Sequence, residues 1–419
     1  MFFGLILRHG LERSIVVEVA VIGFGTVGSG VVDILENNAK EIGRMVPEGI
    51  HVKYIVDIRD FPDSPYRDRV VHDLDTALAD PEIKVVCETM GGKEPARTFS
   101  MKALEKGISV CTSNKELVEA FGPELIAAAR EHHCSYLFEA AVGGGIPLLR
   151  TLQQGLCQED ISSIEGILNG TTNYILTKME HLGTPYADAL AQAQRLGYAE
   201  RNPAADVEGH DTGRKIAILS SLASGKTVRY GDIYTEGITD ISDKDFLYAR
   251  AAGYCIRLLG LYKKAEDGIQ VLTAPFLVKE GHPLYAVEDV FNGVLLHGNM
   301  VDDVMLYGRG AGKLPTGSAV VSDVMHAAKS IGETIPCSWN SSEVLVPKAQ
   351  DDFVCRFLVR VAKEDEEKTK AAFEGKVEKC FELASLPEEC AFFTAPMREA
   401  DFFSCVKEEK VLGRIRVLD

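Results

Sequence analysis

An acid and a lysine stand four residues apart near the middle of the sequence, in the segment GHDTGRK (209–215). This spacing puts Asp211 and Lys215 on one face of a helix, where such a pair is either a salt bridge at the rim of the structure or an active-site couple. A lysine partly removed from water can give a proton to the alkoxide that forms when hydride reduces a carbonyl, and a neighbouring acid can orient it. The pair therefore suits carbonyl reduction with a nicotinamide cofactor, if the chain binds one.

Polar residues before this pair suit a substrate that carries both charges. Glu200 and Asp206 would supply negative charge for an ammonium group. The segment LNGTTNYIL (168–176) follows an apolar strand and leads into a helix, and its threonine hydroxyls and backbone amides could hold a carboxylate. These residues predict an amino-acid substrate with a reducible side chain.

The elements that position these groups can also be predicted. Asp206 suits the N-cap of a helix that runs to Ala223 and stops at Gly225. Near the start of the chain, residues 15–22 form a β-branched run typical of a strand buried on both faces, and helical spacing follows over 26–38.

Three glycines join that strand to that helix in the pattern GxGxxG. Gly23 permits the tight turn, Gly25 lets the backbone approach a pyrophosphate, and Gly28 allows close packing of the helix. The helix N-terminus then faces the negative charge of the ligand. Placed between a strand and a helix, the pattern predicts a dinucleotide site; the alternative is a tight structural turn.

The next predicted strand, over 52–58, ends in an acid that could grip the adenosine ribose. A carboxylate at Asp57 favours NAD slightly over NADP, because it would accept hydrogen bonds from the ribose hydroxyls. Arg59 and Arg67 keep the preference open, since a guanidinium could hold a 2′-phosphate. Alternatively, Asp57 merely caps the strand.

Further strands and helices alternate as in a doubly wound parallel sheet, so we predict an α/β fold. The strands are predicted over 85–89, 108–111 and 135–138, and the helices near 94–106 and 115–131.

Composition excludes several classes of protein. With 419 residues the chain is long enough for about two to four domains. Its 45 basic and 62 acidic residues give a formal charge of −17, which would repel a nucleic-acid backbone. No segment has the ~20 apolar residues that a membrane span needs, and residues 1–13 are expected to be an ordered or frayed leader rather than a signal peptide. Ten scattered cysteines without a CxxC pair indicate a reducing, cytoplasmic compartment.

Seven segments together resemble the homoserine dehydrogenase family, and the likeness extends from about residue 15 to about residue 345. The segments are GFGTVGSGVV (23–32), ETMGGKEPA (88–96), TSNKELV (112–118), FEAAVGGGIP (138–147), EGILNGTTNYIL (165–176), GYAERNPAADVEGHDTGRK (197–215) and GRGAGKLPTGSAVVSDV (308–324). The resemblance implies reversible NAD- or NADP-dependent oxidation of L-homoserine to L-aspartate 4-semialdehyde, in threonine and methionine biosynthesis.

The resemblance also implies roles for residues at matching motif positions. Lys215 matches the principal acid/base of the family, with Asp211 beside it and Lys115 as a second catalytic lysine. Substrate contacts are implied at Glu200, Asp206, Gly170, Thr171 and Tyr198. Cofactor contacts are implied at Gly23, Gly25, Thr26, Val27, Gly28, Asp57, Arg59, Met90, Gly91, Gly92, Ser113, Lys115 and Gly310.

A monovalent cation is implied at Glu139, Val142, Gly144 and Ile146, and sodium suits such hard oxygen ligands. Alternatives remain for two of the implied site residues: Glu139 as a cap of the glycine turn, and Lys115 as a solvated lysine at a helix start.

Three domains follow from the family pattern. A Rossmann-type nucleotide-binding domain spans 1–150 and is completed by about 305–345, where a helix over 318–329 would lean on the first sheet. An inserted α+β domain for substrate binding and dimerisation spans 151–304, so a homodimer or higher homo-oligomer is expected. Residues 346–419 suit a divergent ACT-like α+β domain, with an opening strand over 353–361 and a helix over 369–381. Its first loop lacks the usual proline and glycine turn, which leaves sensing of threonine or another amino acid open.

Two other functions compete with this interpretation. A catalytically silent nucleotide-binding regulator of the same fold would be expected to have lost Lys215, Asp211 or Glu200, and all three are present. An aspartate semialdehyde dehydrogenase needs a catalytic cysteine beside a histidine, and neither Cys111 nor Cys134 has that context.

Overall fold

A parallel sheet of six strands organises the first part of the chain. The computed structural model describes residues 16–407 and 410–418, so the predicted leader over 1–13 lies outside the described residues. The strands are β1 (Val17–Ile22), β2 (Ile50–Val56), β3 (Val70–Val71), β4 (Ile83–Glu88), β5 (Ser109–Thr112) and β6 (Tyr136–Leu137). They lie in the order β3-β2-β1-β4-β5-β6, and β1 pairs in parallel with both β2 and β4. Chain order reverses at β1, which opens a crevice at the carboxyl ends of the strands. The predicted doubly wound α/β fold is confirmed.

Helices cover both faces of this sheet. They are α1 (Thr26–Asn37), α2 (Ala39–Gly43), α3 (Leu74–Leu78), α4 (Ala96–Leu104), α5 (Lys115–Glu131) and the single turn α6 (Leu148–Arg150). The strands between them are apolar on both sides, which is why β1 and β4 are buried along almost their whole length.

A second, mixed sheet carries the middle of the chain. Its strands are β7 (Ile161–Ile167), β8 (Tyr234–Thr235), β9 (Tyr254–Ala265), β10 (Gly268–Lys279), β11 (Phe291–Gly298) and β12 (Asp302–Arg309). The helices of this part are α7 (Gly170–Leu182), α8 (Tyr186–Arg195), α9 (Ala204–Val207), α10 (His210–Ser224) and α11 (Asp243–Ala252). Helix α10 packs on β9 and β10 and on α5 of the first part. The chain then returns to the first sheet through α12 (Lys313–Ala328), which packs on α1, β4 and β5 as predicted but begins five residues earlier.

The helix of the lysine–aspartate pair starts later than predicted. Asp206 does not cap it but lies inside the short helix α9, and the N-cap of α10 is Gly209 at φ +85°. The chain needs a left-handed residue there to turn between two helices, so a glycine replaces the expected side-chain cap. Gly225, at φ +70°, ends α10 as predicted.

The C-terminal segment adds strands to the middle sheet. Its elements are β13 (Val354–Cys355), β14 (Phe357–Ala362), α13 (Glu366–Ala372), β15 (Val377–Phe381), β16 (Glu389–Thr394), β17 (Met397–Arg398), α14 (Glu399–Val406) and β18 (Val411–Val417). The main sheet runs β12-β11-β7-β9-β10-β18-β14-β16-β15, because β18 pairs in parallel with β10. The predicted helix over 369–381 is wrong in its second half: Glu374 and Gly375, both at positive φ, end the helical segment, and residues 377–381 form β15. The ACT-like assignment and the domain boundaries stay predictions.

None of the helices within the described residues combines the length and apolar character needed to cross a membrane.

Candidate active site

Lys215 and Asp211 form a buried ion pair in the cleft between the two sheets. The Nζ atom of Lys215 lies 2.7 Å from Oδ2 of Asp211 and donates a second hydrogen bond of 2.7 Å to the carbonyl oxygen of Leu168. Asp211 is 4% exposed and Lys215 is 8% exposed. The predicted spacing on one helical face is confirmed, and the burial rules out a rim salt bridge.

Lys115 completes a cluster of three charged groups. Its Nζ atom lies 2.7 Å from Oδ1 of Asp211, the oxygen that does not contact Lys215. Lys115 is the first residue of α5, whose N-cap Asn114 accepts a hydrogen bond from Leu117 N and donates one to the carbonyl of Gly92. One lysine thus comes from the nucleotide-binding part and the other from the middle part.

The electrostatics of the cluster keep Asp211 ionised. Burial acts to raise the pKa of this carboxyl, but Lys215 and Lys115 outweigh it and hold the pKa well below its usual range. In return the negative charge of Asp211 raises the pKa of Lys115. The cluster therefore holds a carboxylate fixed between two cations.

Asn169 links this cluster to a second acid and was not among the predicted site residues. Its side-chain Nδ2 donates to Oδ1 of Asp206 at 2.7 Å and to Oδ2 of Asp211 at 2.8 Å. Its Oδ1 caps α7 by accepting a hydrogen bond from Thr172 N. The N-cap preference of asparagine before an apolar helix was the available signal. Burial raises the pKa of Asp206.

The cleft beside the cluster has a volume of about 600 Å³, within the range of small-molecule sites. All predicted substrate residues line it: Glu200, Asp206, Gly170, Thr171 and Tyr198. The hydroxyl of Thr171 donates to the backbone carbonyl of Tyr198 at 2.5 Å, so this hydroxyl joins the two walls rather than pointing to a ligand. Two arginines that sequence reasoning missed, Arg214 and Arg309, also line the cleft; Arg309 stands inside the quoted GRGAG segment.

The glycine loop after β1 has the geometry of a nucleotide cradle. Gly23 sits at φ +87°, and a Cβ on Gly28 would come within 1.9 Å of the carbonyl oxygen of Gly23. A Cβ on Gly25 would meet nothing within 4 Å, so the loop faces open space at the N-terminus of α1. Thr26 and Val27 form the first turn of that helix. The tight turn predicted at Gly23 and the close packing predicted at Gly28 match these contacts, and the approach of a pyrophosphate at Gly25 stays a prediction.

Asp57 lies where the loop and the second strand meet. Its carboxylate accepts hydrogen bonds from Phe24 N (2.8 Å) and from the backbone N, Nε and Nη2 of Arg59 (3.0, 3.0 and 2.9 Å). The hydrogen-bonded guanidinium of Arg59 lowers the pKa of Asp57 to about 2 against the effect of burial. Arg59 also lies over the ring of Phe61 and lines the crevice, whereas Arg67 is not among the lining residues.

The other predicted cofactor residues fall into two groups. Met90 and Gly91 line the crevice beside Gly23 and Asp57, with Gly92 next to them at φ +77°. Lys115 and Gly310 line the cleft of the charged cluster instead, and Ser113, two residues before Lys115 in the chain, lines neither the cleft nor the crevice.

The loop 139–147 lies against both parts of the chain. Glu139 accepts hydrogen bonds from Leu149 N at 2.9 Å and Arg150 N at 2.7 Å, and its own backbone N donates to Asp323 Oδ2 at 2.8 Å. Burial raises the pKa of Glu139, and burial together with the charge of Glu139 raises that of Asp323 to about 7. In the same loop Gly144 approaches the backbone of Gly310: a Cβ on Gly144 would come within 2.4 Å of the carbonyl oxygen of Gly310.

A doubly wound nucleotide fold with a buried lysine–aspartate cluster next to its crevice defines a nicotinamide-dependent oxidoreductase. The family model described as homoserine dehydrogenase matches residues 147–325, and the model described as its NAD binding domain matches residues 23–139. The homoserine dehydrogenase of Bacillus subtilis (strain 168) is 39% identical over 319 residues, covering 75% of this chain and 73% of that protein. The chain belongs to the homoserine dehydrogenase family and is an oxidoreductase that interconverts L-homoserine and L-aspartate 4-semialdehyde.

Other relatives agree across the chain. The homoserine dehydrogenase of Synechocystis sp. is 43% identical over 320 residues, covering 74% of this chain and 73% of the relative. The crystal structure of a homoserine dehydrogenase from Thiobacillus denitrificans has a TM-score of 0.86 at 32% identity and covers 96% of this chain and 98% of its own. A hyperthermophilic archaeal homoserine dehydrogenase mutant in complex with NADPH has a TM-score of 0.64 at 26% identity, covering 77% and 99%.

Neither competing function is favoured. Lys215, Asp211 and Glu200 all line one cleft, as an active enzyme requires. Cys111 and Cys134 are 0% and 1% exposed, and burial raises the pKa of Cys134 to about 11. A thiol so protonated is a poor nucleophile at neutral pH, which argues against a thiol-dependent semialdehyde dehydrogenase.

Proposed function

We propose that Lys215 is the acid/base of homoserine oxidation and semialdehyde reduction. In reduction its ammonium group gives a proton to the carbonyl oxygen, and in oxidation the neutral amine takes the proton of the substrate hydroxyl. The observation that carries this role is the position of its Nζ, buried in the cleft and directed by Asp211 Oδ2 and the carbonyl of Leu168. Lys115 supports the charge of Asp211 from the other side.

The substrate is proposed to bind along the wall formed by α7 and α9. Glu200 and Asp206 take the ammonium group. Both acids line the cleft without belonging to the charged cluster, and Asp206 lies in α9 while Glu200 stands shortly before α9 in the chain. The backbone at Gly170 and Thr171, at the positive end of α7, takes the carboxylate. The ring of Tyr198 packs edge-on against that of Tyr174 and borders the same wall.

The nicotinamide cofactor supplies the hydride acceptor in one direction and the hydride donor in the other. Gly23, Gly25 and Gly28 would hold its pyrophosphate at α1, with Met90, Gly91 and Gly92 along the crevice; the close approach of Gly28 to Gly23 supports this assignment. The archaeal relative was solved in complex with NADPH, which supports a nicotinamide cofactor for this chain and leaves the choice between NAD and NADP open.

The choice between NAD and NADP is proposed to depend on the pair of Asp57 and Arg59. A carboxylate has about four acceptor positions, and Phe24 N and Arg59 supply four donors to Asp57. The carboxylate can accept a ribose hydroxyl of NAD only if Arg59 swings away, and the same motion would bring the guanidinium to a 2′-phosphate. We therefore expect both nucleotides to be used. The preference between them depends on whether Asp57 binds the ribose hydroxyls of NAD or Arg59 binds the 2′-phosphate of NADP.

A monovalent cation is proposed at Glu139 and the backbone carbonyls of Val142, Gly144 and Ile146. The fit is supported by two neighbouring buried carboxyls, Glu139 and Asp323, whose pKa values are raised by burial and which a cation would stabilise in their charged forms. Sodium suits the oxygen donors.

Assembly, regulation and compartment complete the proposal. The chain is expected to form a homodimer through the middle sheet. Any response to threonine or another amino acid is expected to act through the segment after residue 345. The ten cysteines suit a reducing cytoplasmic compartment.

The test is the appearance of reduced nicotinamide when the purified chain is given L-homoserine with NAD or with NADP, each with and without sodium. Homoserine-dependent reduction of either cofactor is expected, and sodium should raise the rate. Absence of reduction in every combination, with cofactor binding intact, would overturn the proposal.

A further inference from the structure

A buried ion cluster joins the C-terminal strand β18 to the middle of the chain. Arg416 in β18 is 1% exposed, and its Nε and Nη2 donate to the two carboxylate oxygens of Glu399 at 2.6 and 2.9 Å. Its Nη1 donates to Oε2 of Glu236 at 2.7 Å. Glu399, the first residue of α14, is fully buried. The guanidinium therefore ties the last helix of the chain to residue 236, far away in the sequence.

Glu236 is held from several directions. The hydroxyl of Tyr234 donates to its Oε2 at 2.8 Å, and Arg414 lies 3.3 Å from Oε1. The backbone N of Glu236 donates to the carbonyl of Thr273 in β10 at 2.8 Å. Its side chain and its backbone are thus fixed at the same point by different parts of the protein.

The segment 235–238 presses on the turn between α9 and α10. Ile238 N donates to the carbonyl of Val207 at 2.8 Å, and a Cβ on Gly237 would come within 2.1 Å of that oxygen. On the other side of the turn, a Cβ on Gly209 would lie 3.2 Å from the carbonyl oxygen of Glu236. These contacts leave the turn little room to move.

That turn sets the spacing of two site acids. Asp206 stands just before it in α9, and Asp211 stands just after it in α10. Asn169 bridges both carboxylates and can do so only while their oxygens remain about where they are. A small shift of the turn would break this bridge and move Lys215 with Asp211.

We infer that Arg416 and Glu236 are positioning residues for the active site: through them the C-terminal segment holds the 207–210 turn in the geometry that binds substrate. The inference rests on the substrate site proposed above. It gives the segment after residue 345 a function in the basal reaction, separate from any response to an effector.

The same segment offers a matched control. Arg360 in β14 is 4% exposed and also ties the C-terminal segment to the middle part, through Asp245 at 2.7 Å and Glu389 at 2.6 Å. Asp245 belongs to the capping box of α11, and neither it nor Glu389 lines the substrate cleft. Loss of either arginine leaves buried carboxylates without their partner, so the two losses should destabilise the fold to a similar degree.

The test compares R416M with R360M and the wild type at a temperature where all three are folded. For R416M we expect KM for homoserine to rise about tenfold or more, with a smaller fall in kcat and with the Kd for the cofactor within about twofold of the wild type. R360M should lower Tm by a similar amount while KM for homoserine stays within about twofold. Equal effects of the two substitutions on KM, or no effect of R416M, would overturn the inference.

A milder variant guards against loss of folding. E236Q keeps the shape of the side chain and an oxygen that can accept from Arg416, but it removes the charge, so a folded protein with KM for homoserine raised about threefold or more is expected. E236Q with an unchanged KM would refute the inference even if R416M did not fold. A wild-type chain with no homoserine-dependent activity would instead refute the proposed function, because that measurement involves neither substitution.

Discussion

Lys115 and Lys215 pair with opposite oxygens of the same carboxylate, each at 2.7 Å. Lys115 begins α5 in the nucleotide-binding part and Lys215 lies in α10 of the middle part, so Asp211 joins the two halves of the site at one buried point. The lysines differ in environment: the side chain of Lys215 is 11% exposed and that of Lys115 is 37% exposed. The difference favours Lys215 for proton transfer, because a group withdrawn from water exchanges its proton with the substrate rather than with solvent.

The first prediction concerns these two lysines. Lys215→Ala should lower kcat about 10²–10⁴-fold and leave the Kd for the cofactor near normal, since it removes the proposed acid/base but not the proposed nucleotide cradle. Steady-state kinetics and a cofactor titration by fluorescence measure both quantities. Lys115→Ala serves as the comparison and should cost less in kcat. Unchanged turnover in Lys215→Ala would remove this lysine from the mechanism.

The second prediction separates two functions of Asn169. Asn169→Ser keeps an oxygen that can cap α7 but loses the amide that bridges Asp206 and Asp211, so KM for homoserine should rise about tenfold and the free energy of unfolding should fall by about 1–3 kcal/mol from the lost donor. Asn169→Ala should show the same change in KM and an additional loss of stability of about 1 kcal/mol from the missing cap. Denaturant unfolding and kinetics on both variants check this. If the serine variant binds homoserine normally, the bridge has no function in substrate binding.

The third prediction concerns cofactor preference. Arg59→Ala should release Asp57 for the ribose of NAD and raise KM for NADP, whereas Asp57→Ala should release Arg59 for the 2′-phosphate and raise KM for NAD. Each change should amount to about tenfold, the value of one lost charged hydrogen bond. The ratio of kcat/KM for the two nucleotides is the measurement. Changes in the same direction for both variants would contradict the proposed exchange.

The fourth prediction follows from Asp323, whose pKa is raised to about 7, mainly by burial and then by Glu139. A folded-state pKa of about 7, above the ordinary value of 3.8, means that the bound proton stabilises the fold fully below about pH 4 and that this stabilisation is lost progressively between about pH 4 and pH 7. Between about pH 4 and pH 7 the Tm of Asp323→Asn should therefore decrease less with rising pH than the Tm of the wild type. Glu88, whose pKa burial also raises to about 7, contributes equally to both proteins and cancels in the comparison. Identical slopes would show that Asp323 is already ionised below this range.

Sodium provides a second arm of that experiment. A cation beside Glu139 would stabilise the ionised carboxyls, so sodium should reduce the decrease in Tm of the wild type at the alkaline end, and Glu139→Gln should weaken this effect. An equal effect of sodium and of a bulky organic cation would argue against a specific site.

Local patterns were sufficient for the nucleotide-binding part. The strand at β1, the glycine turn and α1 are adjacent in the chain, so hydrophobic period and glycine spacing predicted them within one or two residues. The pairing of Asp211 with Lys215 was equally local, since helical geometry alone places residues four apart side by side. Family motifs added Lys115 and Tyr198, because a motif position implies a role without any knowledge of how far the residue lies from the rest of the site.

Contacts between distant segments could not be read in this way. The cap predicted at Asp206 was wrong because the chain turns at Gly209 to pack against Glu236, and the helix expected over 369–381 is cut short because residues 377–381 pair with β16. Three contacts of the site join segments 37 to 180 residues apart in the sequence. They are the ion pair of Lys115 with Asp211, the hydrogen bonds of Asn169 to Asp206 and Asp211, and the ion pair of Arg416 with Glu236. Sequence order determined which chemical groups the chain possesses and which local elements carry them. Their convergence on one buried carboxylate depends on how the two sheets and α10 pack, because ion pairs of this kind persist only where the surrounding fold excludes water and holds every partner in place.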